Sequence, residues 1–457
     1  MGHGNTSCDP HLHLSHQATK RSTTSREASA AGRLRPNVRA LPDNILVEVA
    51  WVGKWSKHLY QGLDLNDVPW MMTQGGQSFA KAYAALYDAD SAGQTTVAAQ
   101  PFFENVLAGS PLCAGFANCS TAVLAAEGAA GTANISTQSV YTMWQNLERG
   151  FDCSLACPWG LPAALPNTLQ GYNSMIANTT SGFSNYQAGI LRVQKRAGHG
   201  LMLNANLTWS KTLSTVGINQ EYTQANPSVP FDLQYDYGPA PFDTRWVFNM
   251  LGTYDLPFGK GKRFDAHNGV LDRVIGGWTF APIFQWNSGL VQETYTGSCQ
   301  EFGQGNVAWC SGMVPLVGAG SFSRTAHYNV NSPFIGSDGN TSNGGSGVNI
   351  FADPTAAYNQ FRPVILGRDG RANDLGPLYG QHRWNLDFTI AKVTRITERT
   401  GFTFYAQFFN ALNHMQFSDP GQYGSGGLNL QSPTSFGVLS GQFNDSRQIE
   451  FGLRLFF

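Results

Sequence analysis

Cysteines offer the clearest chemical potential in this chain. There are seven. Cys8 stands alone, and the others fall as Cys113 with Cys119, Cys153 with Cys157, and Cys299 with Cys310, each pair in Gly-, Ala- and Ser-rich sequence. Such pairs serve either as disulfides in an oxidising compartment or, with histidine at finger-like spacing, as zinc ligands. No histidine accompanies them, so loop-clipping disulfides are expected and no metal site is. Sequence does not fix the connectivity of six cysteines. The second and third pairs are expected to close locally, and the first either closes or cross-links with a neighbour. Cys153 and Cys157 are separated by three residues rather than two, which also sets them apart from a thioredoxin-like pair.

Other groups fall short of a site. His11, His13 and His16 lie in a polar tail with no carboxylate or cysteine framework. Asp64, Asn66 and Asp67 supply too few oxygens for a calcium loop and read as a turn. The run FGKGKRF (258–264) has neither the spacing of a phosphate loop nor an expected helix after it, so no nucleotide site is proposed for it. No nucleophile elbow, zinc-protease helix or deaminase signature occurs, so no catalytic residue, cofactor or enzymatic activity is expected. A formal net charge of -1 gives no reason to expect nucleic acid, whose binding demands a basic patch. What is left for ligand contact is a set of loop aromatics, Trp70, Trp159, Tyr295 and Trp309, whose rings could stack on a sugar or a chelate.

The elements that must position these loops are strands. From Arg447 to Phe457 the odd residues Ile449, Phe451, Leu453 and Leu455 are apolar, while Gln448, Glu450 and Arg454 between them are polar. Trp384, Leu386, Phe388 and Ile390 alternate in the same way, as do Phe402, Phe404, Ala406 and Phe408, with Thr397–Gly401 as the turn between those two strands. A period of two puts alternate side chains on opposite faces of a sheet. An apolar outer face and a polar inner one suit a membrane barrel. Composition agrees, with charged residues at 13% and aromatics at 12%. No run of apolar residues is long enough for a helical span.

Further strands are expected at Ile45–Val52, Tyr186–Lys195, Gly200–Lys211, Thr244–Asp255 and Gly277–Gln292. Short helices are expected at Ser78–Tyr87 and Ser120–Glu127. Trp278 and Trp286 share one face about 26 Å apart along a strand, roughly 20 Å in membrane depth at a 40° tilt, the spacing of two aromatic girdles. Counting strand directions back from the C-terminus puts short turns on the periplasmic side. The connections 61–182, 213–241, 293–380 and 413–445 then lie outside the cell, with all three cysteine pairs. Residues 1–41, with no signal-peptide pattern, are expected to be a disordered or non-native leader, and 42–457 the barrel portion.

Four runs, SNYQAGILRVQKRAGHGLMLNANLTWSKTLS (184–214), DTRWVFNMLGTYDLPFGKGKRF (243–264), RWNLDFTIAKVTRITERTGFTFYAQFFNALNHMQF (383–417) and SFGVLSGQFNDSRQIEFGLRLFF (435–457), resemble the C-terminal barrel of TonB-dependent outer-membrane receptors, Oar-like branch. The resemblance implies an all-β fold, the C-terminal strands of a 22-stranded antiparallel transmembrane barrel with long extracellular loops. The implied role is uptake of a siderophore, carbohydrate or peptide-like ligand across the outer membrane. It implies as partners outer-membrane lipid, the barrel assembly machinery that reads the terminal aromatic Phe457, and the TonB system. The family meets TonB through a plug and a TonB box, neither of which these residues show, so the chain is expected to be the C-terminal part of a receptor. The alternative is a small self-contained outer-membrane protein or adhesin with disulfide-clipped loops.

Overall fold

The computed structural model describes residues 29–65, 68–149, 176–198, 200–215, 232–234, 237–265, 267–292, 294, 313–315, 325–330, 347–363, 365–368, 378–420, 428–430, 433–439 and 441–457. Within them the alternating segments pair into a ten-stranded antiparallel sheet. Its main path is a meander of β1 (Ser29–Leu41), β2 (Ile45–Asp64), β3 (Ile176–Gly198), β4 (Leu201–Ser214), β5 (Trp246–Asp255), β6 (Trp278–Asn287), β7 (Arg383–Arg395), β8 (Gly401–Phe409) and β9 (Gln448–Phe456). The short strand Gly238–Pro239 pairs with β4 off that path. Among the described strands β1 and β9 are the two edges.

The register keeps like residues on like faces. Phe404 opposes Leu453, Ala406 opposes Phe451 and Phe408 opposes Ile449, while Gln407 opposes Glu450 on the other face. Phe451 is 71% exposed, and so much open aromatic surface is stable only against lipid. Trp209 opposes Trp246, and Trp286 opposes Trp384, so tryptophans gather on the apolar face toward one end of the strands, with Trp278 toward the other. Connections sort by end. The strand ends joined through 42–44, 199–200, 256–277 and 396–400 lie at one end of the sheet, and those joined through 65–175, 215–245, 288–382 and 410–447 lie at the other.

Three expectations need correction here. The leader is not unstructured throughout, because Ser29–Leu41 pairs along its whole length with β2. That strand escapes a pattern reading because its parity is inverted: Arg39 opposes Val47 on the apolar face and Val38 opposes Glu48 on the polar one. Pro36 would also argue against a central strand, but among the described strands β1 pairs only with β2, and an edge strand tolerates a missing N–H. The strandless excursion is shorter than expected, since β2 runs to Asp64 and β3 starts at Ile176, with register shifts around Leu59 that break the alternation. Finally, a helix does follow the FGKGKRF turn, α5 below.

The connection after β2 folds on its own core. Helices α1 (Phe79–Ser91), α2 (Pro101–Val106), α3 (Cys119–Glu127) and α4 (Val140–Arg149) pack around the fully buried Phe79, Tyr83, Phe102, Phe103 and Trp144. Ser78 and Asn118 start α1 and α3 by accepting hydrogen bonds from the N–H groups of Lys81 and Thr121. α1 and α3 match the expected helices, and α2 and α4 are additions. A second core, with Ile350, Phe351, Leu428 and Phe436, joins the connections 288–382 and 410–447. Helices α5 (Gly269–Ile275) and α6 (Pro354–Tyr358) complete the described helices.

Candidate functional site

On the polar face, alternation within each strand and register between strands together build one row. Glu48, Arg192, Asn206, Asn249, Gln285 and Asn385 stand directly opposite one another across β2 to β7. Arg192 Nη1 donates to Glu48 Oε2 at 2.9 Å, and Asn249 Nδ2 to Asn206 Oδ1 at 3.4 Å. Asn385 Nδ2 donates to Asp387 Oδ1 at 2.8 Å. Asn204 Oδ1, on the same face, is buried with no hydrogen-bond partner in the protein. A face built from amides has both donors and acceptors to offer a polar solute.

Toward the loop end this face is hollowed by two cavities of about 610 and 680 Å³, which share Thr244 and Val247 as lining residues. The first brings Gln285, Asn385, Asp387 and Asn444 together with Phe443. The second is lined by Lys54, Ser184, Tyr186, Thr208, Ser210 and Thr212, with Phe242 and Val247. The two adjoin at Thr244 and Val247 near the loop end of the sheet.

Their walls are pinned by buried charge. Arg383 Nη2 meets Asp419 Oδ2 at 2.9 Å, and the guanidinium lies 3.6 Å from the centre of the Phe443 ring. Asp419 Oδ1 also accepts from the Gln381 N–H at 2.9 Å. The cation in the first cavity is thus already neutralised, leaving Asp387 and Asp445 as its remaining lining charges. At the edge of the second, buried Asp243 accepts from the Thr212 N–H at 2.6 Å and pairs with Arg245 Nε at 3.1 Å. Burial pushes the Asp243 carboxyl above its ordinary range, against the opposing pull of the Thr212 N–H and Arg245. Tyr379, which accepts from Arg245 Nε at 2.9 Å, is likewise raised by burial.

Of the aromatics expected to touch ligand, Trp70 is not available. It is only 9% exposed and belongs to the helical core, because the chain entering α1 folds over it and the Ala80 N–H donates to its carbonyl. Trp159, Tyr295 and Trp309 lie outside the described residues, as do Cys153, Cys157, Cys299 and Cys310. Cys113 and Cys119 form a disulfide with each other, Cα–Cα 4.7 Å, so the cross-link to a neighbour is excluded for that pair. Phe457, at the end of β9, is 99% exposed. The cavities themselves were missed by reading strands singly: their polar residues were visible, but which of them face each other is a property of the register.

Comparison with known proteins gives a family and distant structures. No curated protein matches the chain. Among solved structures, the outer membrane transporter YddB from Escherichia coli is 7% identical, with a TM-score of 0.36 over 94% of this chain and 33% of that one. The FpvAI–pyocin S2 complex is 8% identical, with a TM-score of 0.31 over 93% of this chain and 26% of that one. The chain therefore spans a third or less of the length of these two. The family model described as outer membrane beta barrel domain matches residues 38–450. With its meander of two-faced strands, the chain belongs to this outer-membrane β-barrel family and is a protein of the bacterial outer membrane.

Proposed function

We propose that the chain supplies wall and extracellular loops to a TonB-dependent receptor, Oar-like in its C-terminal runs, that takes up a polar ligand across the outer membrane. The observation that supports this reading is the polar row from Glu48 to Asn385, leading to the loop-end cavities. A face so rich in amides and hydroxyls offers successive hydrogen bonds to a solute leaving water, each modest and exchangeable. The ligand is captured at the loop end, and energy arrives through a plug and TonB box, on which this wall acts only as the channel side. No residue here has a catalytic role, and Phe457 acts as the signal for barrel assembly. The test is depletion of medium components by cells expressing the receptor, measured by mass spectrometry with and without a functional TonB. Compounds consumed only when both are present are expected. Consumption that continues unchanged without TonB overturns the reading. The helical unit with its Cys113–Cys119 clip is what favours the second reading, a self-contained surface protein that binds through its loops; cell adhesion without any TonB-dependent depletion would support that one.

A further inference from the structure

Helix α5 sits at the turn end, between β5 and β6, and presents an apolar face that none of the described residues covers. Val270 is 76% exposed, Val274 one turn on is 61%, and Leu271 beside them is 48%, while Asp272 is turned inward and buried. In water these side chains gain nothing from such an arrangement.

The seat of the helix says what lies next to it. Lys392 and Trp278 oppose each other in the register of β7 and β6, in the same alternation as Phe280, Phe388 and Ile390, so both belong to the lipid-facing side of the sheet. A lysine is out of place there until its partners are counted. Lys392 Nζ donates to the carbonyls of Arg273, Val274 and Gly276, at 2.9, 2.7 and 2.8 Å, and lies 4.8 Å from the centre of the Trp278 ring. Trp278 Nε1 donates to the Val274 carbonyl at 3.1 Å. The cation thus satisfies the carbonyls at the C-terminal end of α5, where the helix dipole favours it. Asn268 accepts from the N–H groups of Val270 and Leu271 at the other end. The helix is therefore held against the lipid side of the wall, at the depth of an aromatic girdle.

We infer that α5 is an interfacial anchor that beds Val270, Leu271 and Val274 among the acyl chains of the leaflet at the turn end of the sheet, beside the barrel wall. Three observations commit the occupant to lipid. The patch is continuous with the lipid-facing row through Trp278. Its surroundings are basic, since 257–276 carries Lys260, Lys262, Arg263 and Arg273 against Asp265 and the buried Asp272. Phe258 and Phe264 stack on each other at 5.4 Å nearby, with Arg263 over the Phe264 ring at 5.6 Å. An apolar stripe flanked by cations and aromatic rings is the pattern of a helix lying in a membrane interface, drawn also by anionic headgroups.

The experiment uses the full chain folded into vesicles of phosphatidylethanolamine and phosphatidylglycerol. With p-benzoylphenylalanine replacing Val270, ultraviolet irradiation is expected to give a chain heavier by one phospholipid, absent when the same group replaces the polar-face residue Gln407. Adducts confined to protein, whether a second copy or another segment, overturn the inference. A second measurement does not depend on that variant: hydrogen exchange of the peptide 267–277 in the wild type and in Val270→Asp with Val274→Asp, both first shown folded by heat-modifiable mobility. Exchange at least tenfold faster in the double variant is expected. Equal exchange in the two proteins would mean that lipid does not cover the helix.

Discussion

Phe388 and Thr389 are neighbours on β7 that the register sends to opposite worlds. Phe388 opposes Phe408 and Pro282 on the apolar face, and its ring stacks on Phe408 at 4.6 Å and tilts against Phe280 at 5.3 Å. It stands midway between Trp384 and Lys392 on the same strand, which puts it near the middle of the apolar band. Thr389 opposes Gln407 and Ala281 on the polar face. Phe388→Arg places a charge in hydrocarbon near the midplane, costing about 2–4 kcal/mol. The two lost ring contacts add about 0.5–1.5 kcal/mol each. The sum is at least about 3 kcal/mol, more than a hundredfold in the folding equilibrium at 1.4 kcal/mol per tenfold. Thr389→Arg lies at the same depth but against a wet face, where a substitution stays within about 0.5 kcal/mol. Urea titration of both variants in lipid vesicles, followed by tryptophan fluorescence, separates them. Equal loss of stability would refute the assignment of faces, and with it the cavities of the polar face.

Removing Phe456 and Phe457 should lower the yield of assembled barrel in outer-membrane fractions, read by heat-modifiable gel mobility; an unchanged yield would show that the terminal aromatic is not the assembly signal. Replacing Cys113 and Cys119 by serine should weaken the helical unit by about 2–3 kcal/mol in the loop-entropy model while leaving the sheet intact, which proteolysis of the unit and mobility of the barrel measure separately. Glu127 is buried and holds the side chains of Thr132, Asn134 and Asn146, yet burial outweighs those bonds and raises its carboxyl above the ordinary value. A raised folded-state value means that stability from this group is fully present below the unfolded value near 4.5 and declines as pH climbs through the folded one. Glu127→Gln should flatten that decline in thermal melts of the unit between pH 4.5 and 8, and a wild-type unit that gains stability over the same rise would contradict it.

How much of this was legible in the residues depended on where the pattern is carried. β7, β8 and β9 announce themselves because every second side chain meets lipid. β1 does not, since Arg39 falls on the apolar parity and Pro36 interrupts the run. The tails of β2 and β3 were hidden by the register shifts near Leu59. α5 carried a signal that could have been used, Asn268 before GVLDRVI and Gly276 after it, a capping residue and a terminator around one short apolar stretch. Trp70 was misread for a different reason: its surroundings are made by Phe79, Trp144 and their neighbours, and no local pattern says whether a loop will fold back on an aromatic ring.

The loop end is more than a set of independent excursions, because contacts chain its connections together. Leu366, from the connection between β6 and β7, is buried in the helical core that follows β2. Arg368 Nη1 pairs with Asp88 Oδ1 at 3.0 Å. Between them Gly367 has φ +75°, and a Cβ there would strike the Ala80 carbonyl, so only glycine permits this approach. The same connection is tied onward to the segment before β9, where Asn349 Nδ2 donates to the Phe436 carbonyl at 3.0 Å and Tyr358 Oη to the Leu430 carbonyl at 2.8 Å. These bonds are buried or half-buried, and each costs more to break than an exposed one because it leaves an unsatisfied group behind. The described parts of these connections are therefore linked by packing and hydrogen bonds from the helical unit to the segment before the last strand. On the proposed uptake reading, a ligand that displaces one of these connections works against the packing of the others, so its binding is expected to perturb the linked connections together rather than one loop alone.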